Sequence, residues 1–281
     1  MALLWLITAL WAFSFSLIGV YLAGQVDAYL AVASRMALAL LVFLPFIRAT
    51  AWRRAVELMA IGAVQIGIMY LFLYHAFGYL RVPELLLFTV FTPLYVSLFA
   101  DLWARRRPRG LWLPALLAVA GAAVIRWAPL GESYWTGFLL IQAANACFAL
   151  GQIWYRQRFA ASSLAVPLRF GWFFLGALLV TGLAAVWLAD WSKVPQTASH
   201  WTVLLWLGLV ASGLGYLGWN SGATLVQANQ LAVMNNMLVP AGIAVNVLIW
   251  DGQIEPWPFL AGSALLLLSL VLCGRRPVAA Q

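Results

Sequence analysis

The chain has 281 residues, of which 65% are hydrophobic and 9% charged, and its formal net charge is +8. Soluble domains contain roughly 45–50% apolar and about 25% charged residues, so a water-soluble fold could not bury this apolar surface. We therefore expect the chain to lie in a lipid bilayer. Because there is a single lysine and no basic face, nucleic-acid binding is disfavoured. The two cysteines, Cys147 and Cys273, lie in apolar stretches and are not spaced for a metal, so no metal or cofactor is expected.

Clusters of charged and turn-forming residues divide the chain into ten apolar spans, each near the roughly 20 residues that a membrane helix needs. The first span is too long for the apolar region of a signal peptide, about 7–15 residues, and is interpreted as an uncleaved helix. The connecting loops are short. The sequence thus predicts an all-α integral membrane protein with ten transmembrane helices, at 2–23, 29–47, 55–79, 83–104, 111–128, 134–155, 165–189, 201–221, 229–250 and 257–273.

Arginine and lysine are distributed unevenly between alternate loops. One set of loops, together with the C-terminus, holds eleven of them, whereas the other set holds three. Cytoplasmic loops of membrane proteins carry the excess of basic residues. Both termini of this multi-pass protein are therefore predicted to lie in the cytoplasm.

The chain also contains an internal repeat. Gly62, Gly67 and Tyr70 of the third span recur in the eighth span at a constant offset of 146 residues, as Gly208, Gly213 and Tyr216. Weaker echoes pair Arg35 with Arg169 and Pro93 with Pro240. Five helices per copy place the copies in opposite orientations, so we predict two inverted five-helix repeats, at 1–130 and 131–281. Inverted repeats commonly form a substrate site at the bilayer midplane.

Polar and aromatic residues share helix faces on six of the spans, at helical spacing. Amides that face lipid would be costly, so these faces are expected to look inward, toward other helices or toward a cavity. Hydrogen bonding between helices is the alternative to substrate binding for any one of them. The candidate substrate-binding residues are Trp11, Ser14, Tyr70, Tyr74, His75, Phe88, Thr92, Tyr95, Asn145, Gln152, Tyr216, Asn220, Asn235 and Asn236.

Two prolines and two arginines have alternative interpretations. Pro93 and Pro240 lie mid-span and free the carbonyl four residues earlier, which suits either a packing kink or a gate. Arg35 and Arg169 lie within about two turns of a helix end. Snorkelling or interhelical pairing there competes with a role in substrate contact. His75 is either a hydrogen-bonded structural residue or a proton carrier.

Together these residues resemble the drug/metabolite transporter superfamily, in its EamA-domain branch. The resemblance rests on Trp11 to Phe15, on the Leu30–Arg35 and Leu164–Arg169 segments, on the Tyr70 and Tyr216 helices, and on the Pro93 and Pro240 segments. Within the branch the chain is most similar to YddG-type aromatic amino acid exporters of bacterial inner membranes. The resemblance implies a cavity lined by the first, third, fourth, sixth, eighth and ninth spans. It also implies a location in the bacterial inner membrane.

These observations favour an alternating-access transporter that exports amino acids, aromatic ones foremost, and related amphipathic metabolites. Its partners would be the small-molecule substrate and the lipid bilayer, and the chain is expected to act as a monomer. Export of other neutral or cationic metabolites or drugs is the alternative. A passive channel and a membrane-embedded enzyme are disfavoured, the enzyme because the chain has only two histidines and no cluster of catalytic side chains.

Overall fold

The computed structural model describes residues 2–105, 116–117, 120, 124, 132–226, 228–250 and 256–274. All regular secondary structure within these residues is helical. The helices are α1 Ala2–Leu22, α2 Ala28–Phe46, α3 Trp52–Ala76, α4 Val82–Trp103, α5 Glu132–Phe159, α6 Val166–Leu188, α7 Ala198–Thr224, α8 Ala228–Trp250 and α9 Pro256–Gly274.

Seven helices of the described part, α1 to α7, are long and apolar enough to cross a membrane. The all-α membrane fold expected from the sequence is therefore present, but the count of ten spanning helices is not reached. α8 contributes only the shorter apolar stretch Met237–Trp250. The span expected at 111–128 falls almost entirely outside the described residues.

Two helices contain π-helical segments at related positions. One segment is Ala63–Ile68 in α3, and the other is Trp206–Leu214 in α7. Shifted by the repeat offset of 146 residues, the first segment falls within the second. A π-helical segment is rare and is frequent at functional sites. Residues that match at this offset therefore share a π-helical backbone conformation.

Helices from the first half of the chain pack against helices from the second half. α2 packs against α6 and α7, α3 packs against α5 and α6, and α1 packs against α7 and α8. Glycines permit the closest crossing, since a side chain on Gly62 would collide with the backbone of Phe173, and one on Gly176 with the backbone of Met59. Small residues allow this kind of close backbone approach in membranes. The crossing therefore holds the backbones of α3 and α6 close together.

Candidate functional site

A central cavity lies between α1, α2, α3, α4, α5, α7 and α8 and encloses about 80 Å³. These are the six expected spans together with α2. The cavity therefore draws its walls from both sequence repeats. Its polar and aromatic lining residues are Thr8, Trp11, Ser14, Phe15, Arg35, Tyr70, Thr89, Thr92, Asn145, Phe148, Tyr216, Trp219 and Asn235.

Aromatic rings form one wall of the cavity. The ring of Trp11 lies 4.9 Å from that of Tyr216, 4.9 Å from that of Trp219 and 6.2 Å from that of Phe148. The Trp11 indole N–H donates to the Ala211 carbonyl at 2.7 Å, which lies in the π-helical segment of α7. Ring pairs at such separations add to the energy of burial. This wall is therefore a fixed apolar surface.

Arg35 brings a positive charge to the cavity. Its side chain is 1% exposed, and it donates from Nε to Ser212 Oγ at 2.6 Å and from Nη2 to Tyr70 Oη at 2.6 Å. Nη1 contacts Tyr74 Oη at 3.4 Å, and the guanidinium carbon lies 4.0 Å from the centre of the Tyr70 ring. Arg35 does not snorkel, because α3 and α7 cover it.

Polar side chains at the cavity hydrogen-bond to backbone carbonyls at the break in α4. Residues Thr89–Phe91 form a 3-10 turn before Pro93. Thr92 Oγ1 donates to the Thr89 carbonyl at 2.7 Å, the group that Pro93 frees, and Asn145 Nδ2 donates to the Phe88 carbonyl at 2.8 Å. Pro240, by contrast, lies inside the continuous helix α8. The two prolines thus differ in their local structure.

Two buried polar atoms at the cavity have no hydrogen-bond partner within the described part of the chain. They are Ser14 Oγ on α1 and Asn235 Nδ2 on α8. A buried donor without a partner costs about 1–3 kcal/mol. Both atoms are therefore placed to bind a ligand that enters the cavity.

A second layer of amides lies behind the cavity. Gln65 and Asn220 exchange two hydrogen bonds of 2.9 and 3.2 Å, and Trp219 Nε1 donates to Gln152 Oε1 at 2.7 Å. Gln65, Gln152 and Asn220 are fully buried. These contacts join α3, α5 and α7 and support the wall that Trp219 forms.

The structure therefore divides the candidate residues into two groups. Trp11, Ser14, Tyr70, Thr92, Asn145, Tyr216 and Asn235 line the cavity. Tyr74, His75, Phe88, Tyr95, Gln152 and Asn220 do not, and the side chain of Asn236 lies outside the described residues. Tyr74 and Gln152 instead contact Arg35 and Trp219. His75 Nδ1 contacts the Leu71 carbonyl at 2.7 Å, and its ring packs on Tyr29.

Sequence reasoning left Arg35 and Trp219 out of the candidate site. Arg35 was weighed as a helix-end residue, although the repeat had already marked it. Its counterpart Arg169 has a different role, since it donates to the carbonyls of Leu164, Phe159 and Ser162 and so stabilises the α5–α6 turn.

Contacts between the repeats occur at both ends of the bundle. At the end where α2 begins, the Asp27 N–H donates to the Lys193 carbonyl at 3.0 Å and Asp27 Oδ2 accepts from the Asp190 N–H at 3.2 Å. At the end where α3 begins, Arg158 Nε donates to Glu57 Oε1 at 2.6 Å. The cavity thus lies between two sets of contacts.

Comparison with known proteins relates the chain to bacterial transporters. It is 49% identical over 274 residues to the "Biotin transporter" of Salmonella typhimurium, covering 96% of this chain and 91% of that protein. The "Biotin transporter" of Escherichia coli K12 is 48% identical over the same coverage. The "Probable biotin transporter" of Pseudomonas aeruginosa is 48% identical over 284 residues, covering 98% of both chains.

One crystal structure shares the fold, with a TM-score of 0.70 at 18% identity over 97% of this chain and 98% of the other. No family model matches the chain. With its relatives and its apolar helices, the chain is a multi-pass bacterial membrane protein and a transporter rather than an enzyme.

The relatives correct two expectations. Assignment to the EamA branch of the drug/metabolite transporter superfamily is wrong, and so is amino acid export, because the relatives are named for biotin. The physical reason is that aromatic walls and amides accept many amphipathic molecules. These features alone could not distinguish an aromatic amino acid from another ligand with an apolar ring system.

Proposed function

The chain belongs to the family of the bacterial biotin transporters, and on that premise we propose that it takes up biotin through the central cavity. The observation that carries this proposal is the identity of nearly half over almost the whole chain, combined with a cavity that joins an aromatic wall to hydrogen-bonding groups.

The chemistry of biotin suits this cavity. Biotin has a compact double ring whose thioether half is apolar, and the wall of Trp11, Tyr216 and Trp219 could cover that half. Its ureido group offers two N–H donors and a carbonyl acceptor. The unpartnered Asn235 Nδ2 and Ser14 Oγ supply a donor and a hydroxyl for such a group. Small-molecule sites generally combine apolar walls with a few placed polar groups in this way.

The cavity must widen to admit the ligand. Its volume of about 80 Å³ lies well below the roughly 300–1,000 Å³ of typical small-molecule sites. Contacts through Asp27 and through Glu57 join the two halves of the chain at the two ends of the bundle. Opening one end at a time would give alternating access, with biotin drawn inward by its consumption in the cell.

The topology forms part of the same proposal. We place both termini in the cytoplasm, the chain in the inner membrane, and the halves 1–130 and 131–281 in opposite orientations, with ten spans in all. The matched π-helical segments of α3 and α7 support the two halves. The monomer is the proposed working unit, because the cavity is formed within one chain.

Uptake by whole cells tests this function. A biotin-requiring bacterium that lacks its own biotin transporter, expressing this chain, should accumulate labelled biotin and grow on low biotin. Trp11→Ala should abolish the gain in accumulation and growth by removing part of the aromatic wall. Trp187→Ala, at a position 80% exposed near the end of α6, should not. Growth and accumulation no better than with the empty vector would refute biotin uptake.

A further inference from the structure

Arg35 is a cation inside the membrane-spanning bundle, and its surroundings are neutral. A guanidinium has five N–H donors. In the part of the chain that the structure describes, its partners are three hydroxyls, those of Ser212, Tyr70 and Tyr74, together with the face of the Tyr70 ring. Within the described residues, Arg35 forms no ion pair with a carboxylate. Hydroxyl oxygens therefore hold the positive charge in place, and no carboxylate of the described residues neutralises it.

This arrangement is costly unless something else supplies the negative charge. Buried charges in proteins are normally paired, and ionisable residues within membrane spans mark substrate paths. Arg35 lines the cavity, so a ligand there can reach it. The three hydroxyls that accept its hydrogen bonds belong to α3 and α7, and they hold the guanidinium in one position beside the cavity.

Resting on the biotin transport proposed above, we propose that Arg35 binds the carboxylate of the substrate and makes the carrier selective for the free acid. A guanidinium matches a carboxylate with two parallel hydrogen bonds, and such pairs are strong in low dielectric. The carboxylate also neutralises the charge that the hydroxyls leave uncompensated. Uncharged derivatives with the same ring system offer neither contribution.

The broken symmetry of the repeat supports one anchor rather than two. Arg169, the counterpart of Arg35, donates hydrogen bonds to the backbone carbonyls of Leu164, Phe159 and Ser162. Only the first repeat therefore presents a cation to the cavity. A ligand with one carboxylate and one hydrogen-bonding ring then binds in a single orientation, with its acid end at Arg35.

Competition in proteoliposomes tests this inference. Uptake of labelled biotin by purified wild-type protein would be measured against unlabelled biotin, biotin methyl ester and the corresponding alcohol. We expect the acid to compete roughly 30-fold better than either uncharged compound. Wild-type protein that takes up biotin but is inhibited equally by the alcohol would overturn the assignment of Arg35.

Three variants locate the selectivity. Arg35→Gln should lose the preference for the acid, and Arg35→Lys, which keeps the charge, should retain part of it even where the glutamine variant fails to fold. Arg54→Gln removes an exposed arginine near the start of α3, outside the cavity, and should keep the full preference. Undiminished acid preference in Arg35→Gln would contradict the proposal. Absence of saturable biotin uptake by wild-type vesicles would instead refute the proposed function.

Discussion

Tyr70 and Tyr216 are 146 residues apart in sequence, and the Tyr216 hydroxyl donates to that of Tyr70 at 3.3 Å. The separation equals the offset of the internal repeat, so equivalent residues of the two repeats meet at the cavity. Tyr70 Oη also accepts a hydrogen bond from Arg35. The contact between Tyr216 and Tyr70 thus helps to position the hydroxyl that binds the Arg35 guanidinium.

Removing the Tyr70 hydroxyl should weaken substrate binding more than removing that of Tyr216. Tyr70→Phe deletes a hydrogen bond to a charged group, worth about 1.5–3 kcal/mol, and should raise KM for biotin roughly tenfold or more. Tyr216→Phe deletes a bond between neutral hydroxyls and should raise KM only a few-fold. Initial uptake rates in proteoliposomes measure both. A larger effect for Tyr216→Phe would show that the hydroxyl of Tyr70 does not position Arg35.

The amide pair behind the cavity should show strong coupling. Gln65→Leu alone leaves the Asn220 amide buried without its partner, at a cost of about 1–3 kcal/mol, and Asn220→Leu has the converse effect. Replacing both residues removes the orphaned groups. The thermal stability of the double variant in detergent should therefore fall by less than the two single losses combined. Additive losses would mean that the pair does not act as a unit.

Two glycines of α6 provide a matched test of the helix crossing. A Cβ at Gly176 would overlap the Met59 backbone, whereas at Gly182 its nearest neighbour is Leu178 Cδ1 at 3.9 Å. Gly176→Ala should destabilise by about 1–3 kcal/mol through overpacking. Gly182→Ala should be neutral or slightly stabilising, since alanine favours the helix. Melting curves of both variants measure the difference, and equal melting temperatures would contradict the close α3–α6 contact.

Composition predicts the boundaries of the helices more reliably than it predicts the residues of the site. The fourth span was expected at 83–104 and is observed at Val82–Trp103, because apolar runs end where charged residues begin. Pro93 already indicates the break in α4 at Thr89–Phe91, whereas nothing in the composition predicts the two π-helical segments. The order of ten spans and their inverted orientation stay predictions.

The candidate site was only partly predictable for a related reason. Helical spacing identifies a face but not what covers it, so Trp11 and Asn145 reach the cavity whereas Asn220 turns to Gln65. A π-helical insertion rotates the residues that follow by about 100°. For Arg35 the sequence left substrate contact open but did not favour it, because nearness to a helix end suggests contact with water. In the folded chain α3 and α7 exclude that water.

Net charge should move with the substrate. Biotin is an anion at neutral pH, because carboxyl groups of its kind have a pKa of about 4.3. No Asp, Glu or His lines the cavity within the described residues, so no side chain there carries a compensating proton. Moving one elementary charge across a potential of 100 mV changes its free energy by about 2.3 kcal/mol.

An inside-negative potential should therefore slow biotin influx into proteoliposomes, and an inside-positive potential should accelerate it. Potassium gradients with valinomycin set the two polarities at equal pH on both sides. Equal influx at both polarities would show that another ion balances the charge.

The central claim, that biotin occupies the cavity, is tested most directly by equilibrium binding of labelled biotin to the purified protein. We expect saturable binding that excess biotin displaces and that tryptophan does not displace. Binding should be lost in Trp11→Ala and kept in Trp187→Ala. No saturable binding by the folded wild-type protein, or displacement by tryptophan as effective as that by biotin, would contradict it.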